Sequence, residues 1–181
     1  MKKSQKNLIL PIASILTLSV IAVLLINLNF AKSMISNKMS QPPAKTAQHI
    51  PEITKTESEW KQILNSKQYY ILREKGTDPA YSETLILNEK RPGTYVTADC
   101  NEPVFRSENK YDSKTGWPSF WKPIDGSVAE VDDNTFGMKR IEVVGKKCGG
   151  HLGHIFNDGP EPTGLRYCIN PSALKFIPDP V

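Results

Sequence analysis

The chain has 181 residues, of which 39% are hydrophobic and 23% charged, an ordinary balance for one globular domain with extensions. Its net charge of +4 is modest, and several of the lysines fall in the N-terminal extension. No basic face with interleaved aromatics is present, so a nucleic-acid partner is excluded.

Residues Leu8 to Leu28 form a run of 21 without a charge, preceded by Lys2, Lys3 and Lys6. Such a run is long enough to cross a bilayer and longer than the apolar core of a usual signal peptide. The cleavage signal is weak, because Ala31 has Asn29 rather than a small residue two places earlier. Residues 1–30 are therefore expected to be an uncleaved signal anchor; a cleaved leader, and hence a secreted domain, is the alternative. The basic N-terminus predicts a domain on the exported side, although Lys32, Lys38 and Lys45 on the other flank weaken that count. Residues 31–52, rich in Lys, Ser, Gln and Pro, read as a flexible linker, and residues 53–181 as the folded domain. Three cysteines in an exported domain leave at least one thiol unpaired, which points to chemistry.

Thr56-Glu57-Ser58-Glu59 fits the capping box and starts a helix with Trp60, Ile63 and Leu64 on one face. A second helix is expected from Ser66 to Lys75, with Gly76 at its C-cap. After Gly76 the helical period disappears. Short β-like runs follow at Tyr95-Val96, Trp117 to Trp121, Val128 to Val131, Ile141 to Val144, His151 to Phe156, Leu165 to Asn170 and Leu174 to Ile177. The expected fold is mainly β, with antiparallel sheets and the helices packed outside.

Three stretches carry candidate chemistry. In Lys110 to Trp121 aromatics crowd around turn formers. Trp117 next to Pro118 is odd for a central strand but suits a rigid aromatic face that seats a methyl on sulfur; a plain turn and core strand is the alternative. Cys148 to Asp158 holds two of the three histidines, His151 and His154, flanked by glycines. As metal ligands they lack a completing cluster, whereas a histidine near a nucleophilic cysteine serves as proton donor or acceptor. In Gly164 to Asn170 strand alternation puts Arg166, Cys168 and Asn170 on one side and Tyr167 and Ile169 on the other. A thiol sharing a face with a guanidinium is expected to have a lowered pKa; the bland alternative is a small buried hydrophobe.

These motifs, together with Gln68 to Thr77 and Asp158-Gly159-Pro160, resemble the type B methionine sulfoxide reductases over about Glu59 to Pro178. The resemblance implies a β-tent-like fold of two antiparallel sheets with short peripheral helices. It implies reduction of methionine R-sulfoxide, free or in oxidised proteins, with a thioredoxin-like or other thiol reductant as partner. Cys168 would be the nucleophile, and Trp117 would seat the S-methyl group. His151, His154 and Asn170 would orient and protonate the sulfoxide oxygen, with His154 as the acid. Arg166, Asp158 and Phe156 would support the substrate site.

Two departures from the family pattern matter. Many relatives carry two Cys-x-x-Cys pairs for a structural zinc, but here the corresponding positions are Thr97 with Cys100 and Gly145 with Cys148, so no zinc cofactor is expected. The resolving cysteine of many relatives is Thr115 here. The resemblance places Cys100 and Cys148 close enough to form a disulfide in place of the metal. Alternatives are that one of them resolves the oxidised Cys168, or that both stay free. A catalytically idle module that binds the sulfoxide or senses redox state is the competing function; the intact Cys168, Trp117, His151, His154 and Asn170 argue against it.

Overall fold

The computed structural model describes residues 49–180. The expected signal anchor and most of the expected linker lie outside the described residues. Among the described residues no helix is long and apolar enough to cross a membrane. The last linker residues pack on the domain: His49 Nε2 lies 2.6 Å from the Lys146 carbonyl, and Pro51 lies against Gly149.

Helix α1 (Glu57–Ile63) starts on the reciprocal cap, in which Glu59 Oε2 accepts from the Thr56 N–H at 2.7 Å and Thr56 Oγ1 accepts from the Glu59 N–H at 3.3 Å. Trp60 and Leu64 are buried, but Ile63 is 53% exposed, because the helix ends there and Leu64 turns inward in extended conformation. Helix α2 (Ser66–Glu74) is capped by Asn65. Its left-handed residue is Lys75 (φ 56°) and not the expected Gly76. Lys75 is held there by its ammonium on Glu142 at 2.8 Å, while Gly76 lies flush against the Tyr70 ring with no room for a side chain. Arg73 stacks over Trp60 at 4.4 Å and joins the two helices. A one-turn helix α3 (Thr84–Asn88) follows, in a region where the sequence shows no helical period.

Two antiparallel sheets carry the rest. The smaller has order β2-β1-β9, from β1 (Gly93–Thr97), β2 (Pro103–Arg106) and β9 (Leu174–Pro178). The larger has order β3-β4-β8-β7-β6-β5 and comprises β3 (Lys110–Tyr111), β4 (Ser119–Phe120), β5 (Val128–Asp133), β6 (Arg140–Gly145), β7 (His151–Phe156) and β8 (Arg166–Ile169). The expected strand at Trp117 to Trp121 shrinks to Ser119–Phe120, since Pro118 has no N–H for the ladder. Strands β2 and β3 are too short and polar-flanked to show a period in the sequence.

An aromatic cluster locks the sheets together. Phe105 of the small sheet stacks on Phe120 of the large one at 4.3 Å, and Tyr95 meets Phe120 edge-on at 5.0 Å. Each such pair adds about 0.5–1.5 kcal/mol beyond the area it buries. A covalent tie lies at one end of the sheets. The turns 97–101 and 145–149 are built alike, with the Asn101 N–H on the Thr97 carbonyl (3.0 Å) and the Gly149 N–H on the Gly145 carbonyl (2.8 Å). A Cys100–Cys148 disulfide joins them across a Cα separation of 6.4 Å.

Candidate active site

The larger sheet lines up one transverse row of residues. Cross-strand partners run Tyr111, Ser119, Cys168, His154, Glu142, Val131 from edge to edge. Residues in direct register share a face, so Cys168 and His154 are neighbours on β8 and β7. The row next to it, Phe120, Tyr167 and Ile155, points into the core. Gly153, next to His154, sits against the Cys168 carbonyl where a Cβ would collide, so the two strands approach closely.

His151 joins the same face through an irregularity. Three residues apart on a regular strand, His151 and His154 would point to opposite sides. A register shift between Val143 and Val144 pairs Val144 with His151 and Val143 with Gly153, leaving Leu152 as the extra residue. The two imidazole rings then lie 5.4 Å apart.

Each imidazole is backed by a carboxylate, and each carboxylate by a cation. His151 Nδ1 lies 2.8 Å from Glu142 Oε1, and Lys75 Nζ lies 2.8 Å from Glu142 Oε2. His154 Nε2 lies 2.8 Å from Asp133 Oδ2, which also takes the Arg140 guanidinium at 2.7 Å. Burial alone would raise both carboxyls, but hydrogen bonds from Thr135 and His154 and the Arg140 charge hold Asp133 well below the usual range. At Glu142 burial is likewise outweighed, by His151 and Lys75. Ionised carboxylates only accept, so the bonded nitrogens carry the protons. His154 Nδ1 and His151 Nε2 are thereby left as the nitrogens available to the site. Burial lowers the His154 pKa, with the His151 and Arg140 charges adding to it and Asp133 opposing.

The Cys168 thiol departs from the sequence expectation. Its pKa is raised, because burial outweighs the Arg166 charge and the Thr115 and Arg166 side chains that favour the thiolate. Arg166 is buried and paired twice with Asp158 (2.8 and 2.9 Å), and its guanidinium lies 4.3 Å over the half-exposed Phe156 ring. That pairing holds Asp158 below the usual carboxylate range. Arg166, Asp158 and Phe156 therefore form one cluster at the Cys168 strand.

Trp117 is fixed by its indole N–H on the Asp78 carbonyl at 2.8 Å. Asn170 differs from its expected role: its Oδ1 accepts from the Asp78 N–H (2.9 Å) and its Nδ2 donates to the Leu152 carbonyl (3.2 Å). The amide is engaged at both ends and braces the strand. Thr115 begins a hydroxyl chain, with Ser113 Oγ 2.8 Å from Thr115 Oγ1 and 2.7 Å from Ser119 Oγ. A cavity of about 600 Å³ lies along the 110–117 segment with Trp117, Tyr111 and Leu87 in its wall, but its wall includes neither Cys168 nor the histidines.

Asp133, Arg140, Glu142, Lys75 and Asp78 were not anticipated from sequence. Glu142 offered a signal, an acid inside the apolar run Ile141 to Val144. Asp78 offered none, since the residues it holds at the site, Trp117, Asn170 and Ser172, are 39, 92 and 94 positions away.

The four positions that would ligate zinc do converge. Thr97 Oγ1 is 3.7 Å from Cys100 Sγ, and a Cβ on Gly145 would lie 3.4 Å from Thr97. They do not fit the metal: the two sulfurs are bonded to each other, threonine and glycine supply no thiolate, and the nearby Asp99 is paired with Arg73 at 3.2 Å.

The SelR domain matches residues 64–178. A peptide methionine sulfoxide reductase MsrB of Leptospira interrogans is 52% identical over 126 residues, covering 69% of this chain and 95% of its own. Proteins of that name from Methanosarcina mazei (48% over 126 residues, 69% of this chain and 89% of its own) and Saccharophagus degradans (49% over 128 residues, 70% of this chain and 95% of its own) are likewise similar to this chain.

Proposed function

Because the chain belongs to the SelR domain family of type B methionine sulfoxide reductases, we infer how its own residues carry out that reaction. It is a peptide-methionine (R)-S-oxide reductase, converting methionine R-sulfoxide to methionine. The observation that carries the assignment of roles is the cross-strand pairing of Cys168 with His154 on one face of the sheet.

The free site holds a thiol and a neutral imidazole, since Cys168 is raised and His154 lowered. Cys168 passes its proton to His154 Nδ1 as the thiolate attacks the sulfoxide sulfur, and His154 returns that proton to the sulfoxide oxygen. The protonated oxygen then passes to the Cys168 sulfur: a Cys168 S–O bond forms as the methionine S–O bond and the transient bond between the two sulfurs break. Methionine leaves with the electron pair on its sulfur, and Cys168 is left as a sulfenic acid. Trp117 seats the S-methyl group, and Arg166, held by Asp158 and covered by Phe156, favours the thiolate. Asn170 positions the strand, and His151 supports the acid from beside it.

Recycling uses two external thiols, which become a disulfide while the sulfenic oxygen leaves as water. A thioredoxin-like protein or a small thiol fits that role, because Thr115 cannot form a bond to sulfur and Cys100 and Cys148 are already joined. The enzyme needs no zinc. The uncharged run Leu8 to Leu28 tethers the domain to the membrane, on the exported side.

Turnover of the separated R and S epimers tests the assignment, with thioredoxin, a glutaredoxin-type donor and dithiothreitol compared side by side. Consumption of R alone is expected; equal rates for both epimers would overturn it.

A further inference from the structure

We propose that Asp78 is a positioning residue that sets the Trp117 ring and the Cys168 strand against each other. The assignment rests on the roles given above to those two residues. Asp78 is part of no helix or strand, yet its side chain is fully buried. Its backbone carbonyl accepts the Trp117 indole N–H at 2.8 Å, and its backbone N–H donates to Asn170 Oδ1 at 2.9 Å. A single residue thus holds the ring expected to seat the methyl group and the amide two places beyond the nucleophile.

The carboxylate fixes how those backbone groups are aimed. Oδ2 accepts the Ser172 N–H at 2.9 Å and Oδ1 the Ser172 hydroxyl at 2.8 Å, with Lys67 Nζ at 3.3 Å from Oδ1. Ser172 lies in the 3₁₀ turn Pro171–Ala173, directly after Asn170. The chain beyond Asp78 follows the turn that carries Trp117: the Tyr81 N–H donates to the Gly116 carbonyl at 2.9 Å and the Tyr81 hydroxyl to the Lys114 carbonyl at 3.1 Å. With the carboxylate bound to Ser172, the Asp78 amide and carbonyl cannot swing. The backbone of the Trp117 segment is already held to the Cys168 strand by the Ser119–Cys168 pairing and the Ile169 N–H on the Pro118 carbonyl at 3.0 Å, so the clamp fixes how the Trp117 indole is aimed against that strand. Misplacement of reacting groups by about 1 Å costs on the order of 10²-fold in rate.

The test uses the full chain and three variants, Asp78→Ala, Asp78→Asn and Ser172→Ala. Asp78→Ala should lose about 10²-fold in kcat/KM, with a raised KM and a weakened preference for the R epimer. Alkylation of Cys168 without substrate should stay near the parent rate, because Arg166 and Thr115 are untouched. Asp78→Asn keeps the shape and one acceptor oxygen and should recover part of the loss. Ser172→Ala removes one hydrogen bond and should raise KM by about 2–10-fold. If Asp78→Ala does not fold, the other two variants carry the test. Parent KM and parent stereopreference in Asp78→Asn and Ser172→Ala would overturn the proposal, as would activity falling only with the folded fraction. An inactive parent protein would instead sink the reductase reading, so the two failures are distinguishable.

Discussion

At the scale of single residues, the site works by moving one proton between two groups whose environments push them in opposite directions. Burial favours the Cys168 thiol over the thiolate and neutral His154 over the imidazolium. The alkylation rate of free Cys168 should therefore rise only at more alkaline pH than an ordinary thiol, since alkylation needs the thiolate. Arg166 opposes the effect of burial, so Arg166→Gln should move that profile further alkaline; a shift towards acid would show that the guanidinium does not favour the thiolate. Replacing His154 by Asn should lower kcat by about 10²-fold or more, the loss expected when a general acid is removed, with little change in KM. An unchanged kcat with a raised KM would leave His154 a binding residue and make His151 the acid.

At the scale of elements, strand alternation alone put Arg166, Cys168 and Asn170 on one face; β8 carries Arg166 and Cys168 in that alternation and ends at Ile169, one residue before Asn170. The glycine-flanked histidines were legible as candidates, but their common face was not. It depends on the register shift opposite Val143 and Val144, which needs the partner strand to be seen. The Asp133 and Glu142 partners were hidden for a related reason, since they reach the histidines across the sheet rather than along the chain. The sequence also mistook the sign of the Cys168 shift: a cation two residues away is visible, whereas the burial that outweighs it is a property of the packed sheet. The turns at 97–101 and 145–149 give a prediction of their own. The disulfide closes a loop of 48 positions, worth on the order of 4 kcal/mol by chain-entropy arguments. Reduction, or Cys148→Ser, should lower the Tm by roughly 10 °C or more, with EDTA without effect. A Tm that falls with EDTA and not with reductant would point to a metal instead.

At the scale of the whole molecule, the aromatic cluster of Tyr95, Phe105 and Phe120 makes the two sheets one body under the site. Cys168, His154, His151 and Arg166 therefore rest on strands, whereas Trp117, Asp158 and Asn170 lie in the connections beside them, with the Trp117 indole held by Asp78. The N-terminal extension is expected to tether this body without entering the chemistry. Full-length protein should fractionate with membranes and resist carbonate extraction. A fragment beginning at His49, which keeps the contacts of His49 and Ile53 to residues 146 and 147, should be soluble and active. Recovery of a shortened protein in the soluble exported fraction would mean that the leader is cleaved.

The central claim is that Cys168 takes the oxygen from methionine R-sulfoxide. A single turnover of the pre-reduced full chain without added thiol measures it most directly, with methionine quantified and sulfenic acid on Cys168 trapped by a dimedone-type reagent. One methionine per chain and a trapped Cys168 are predicted, with neither seen in Cys168→Ser. Methionine release by Cys168→Ser at a rate near that of the parent, or trapping at Cys100 or Cys148 in place of Cys168, would contradict the account.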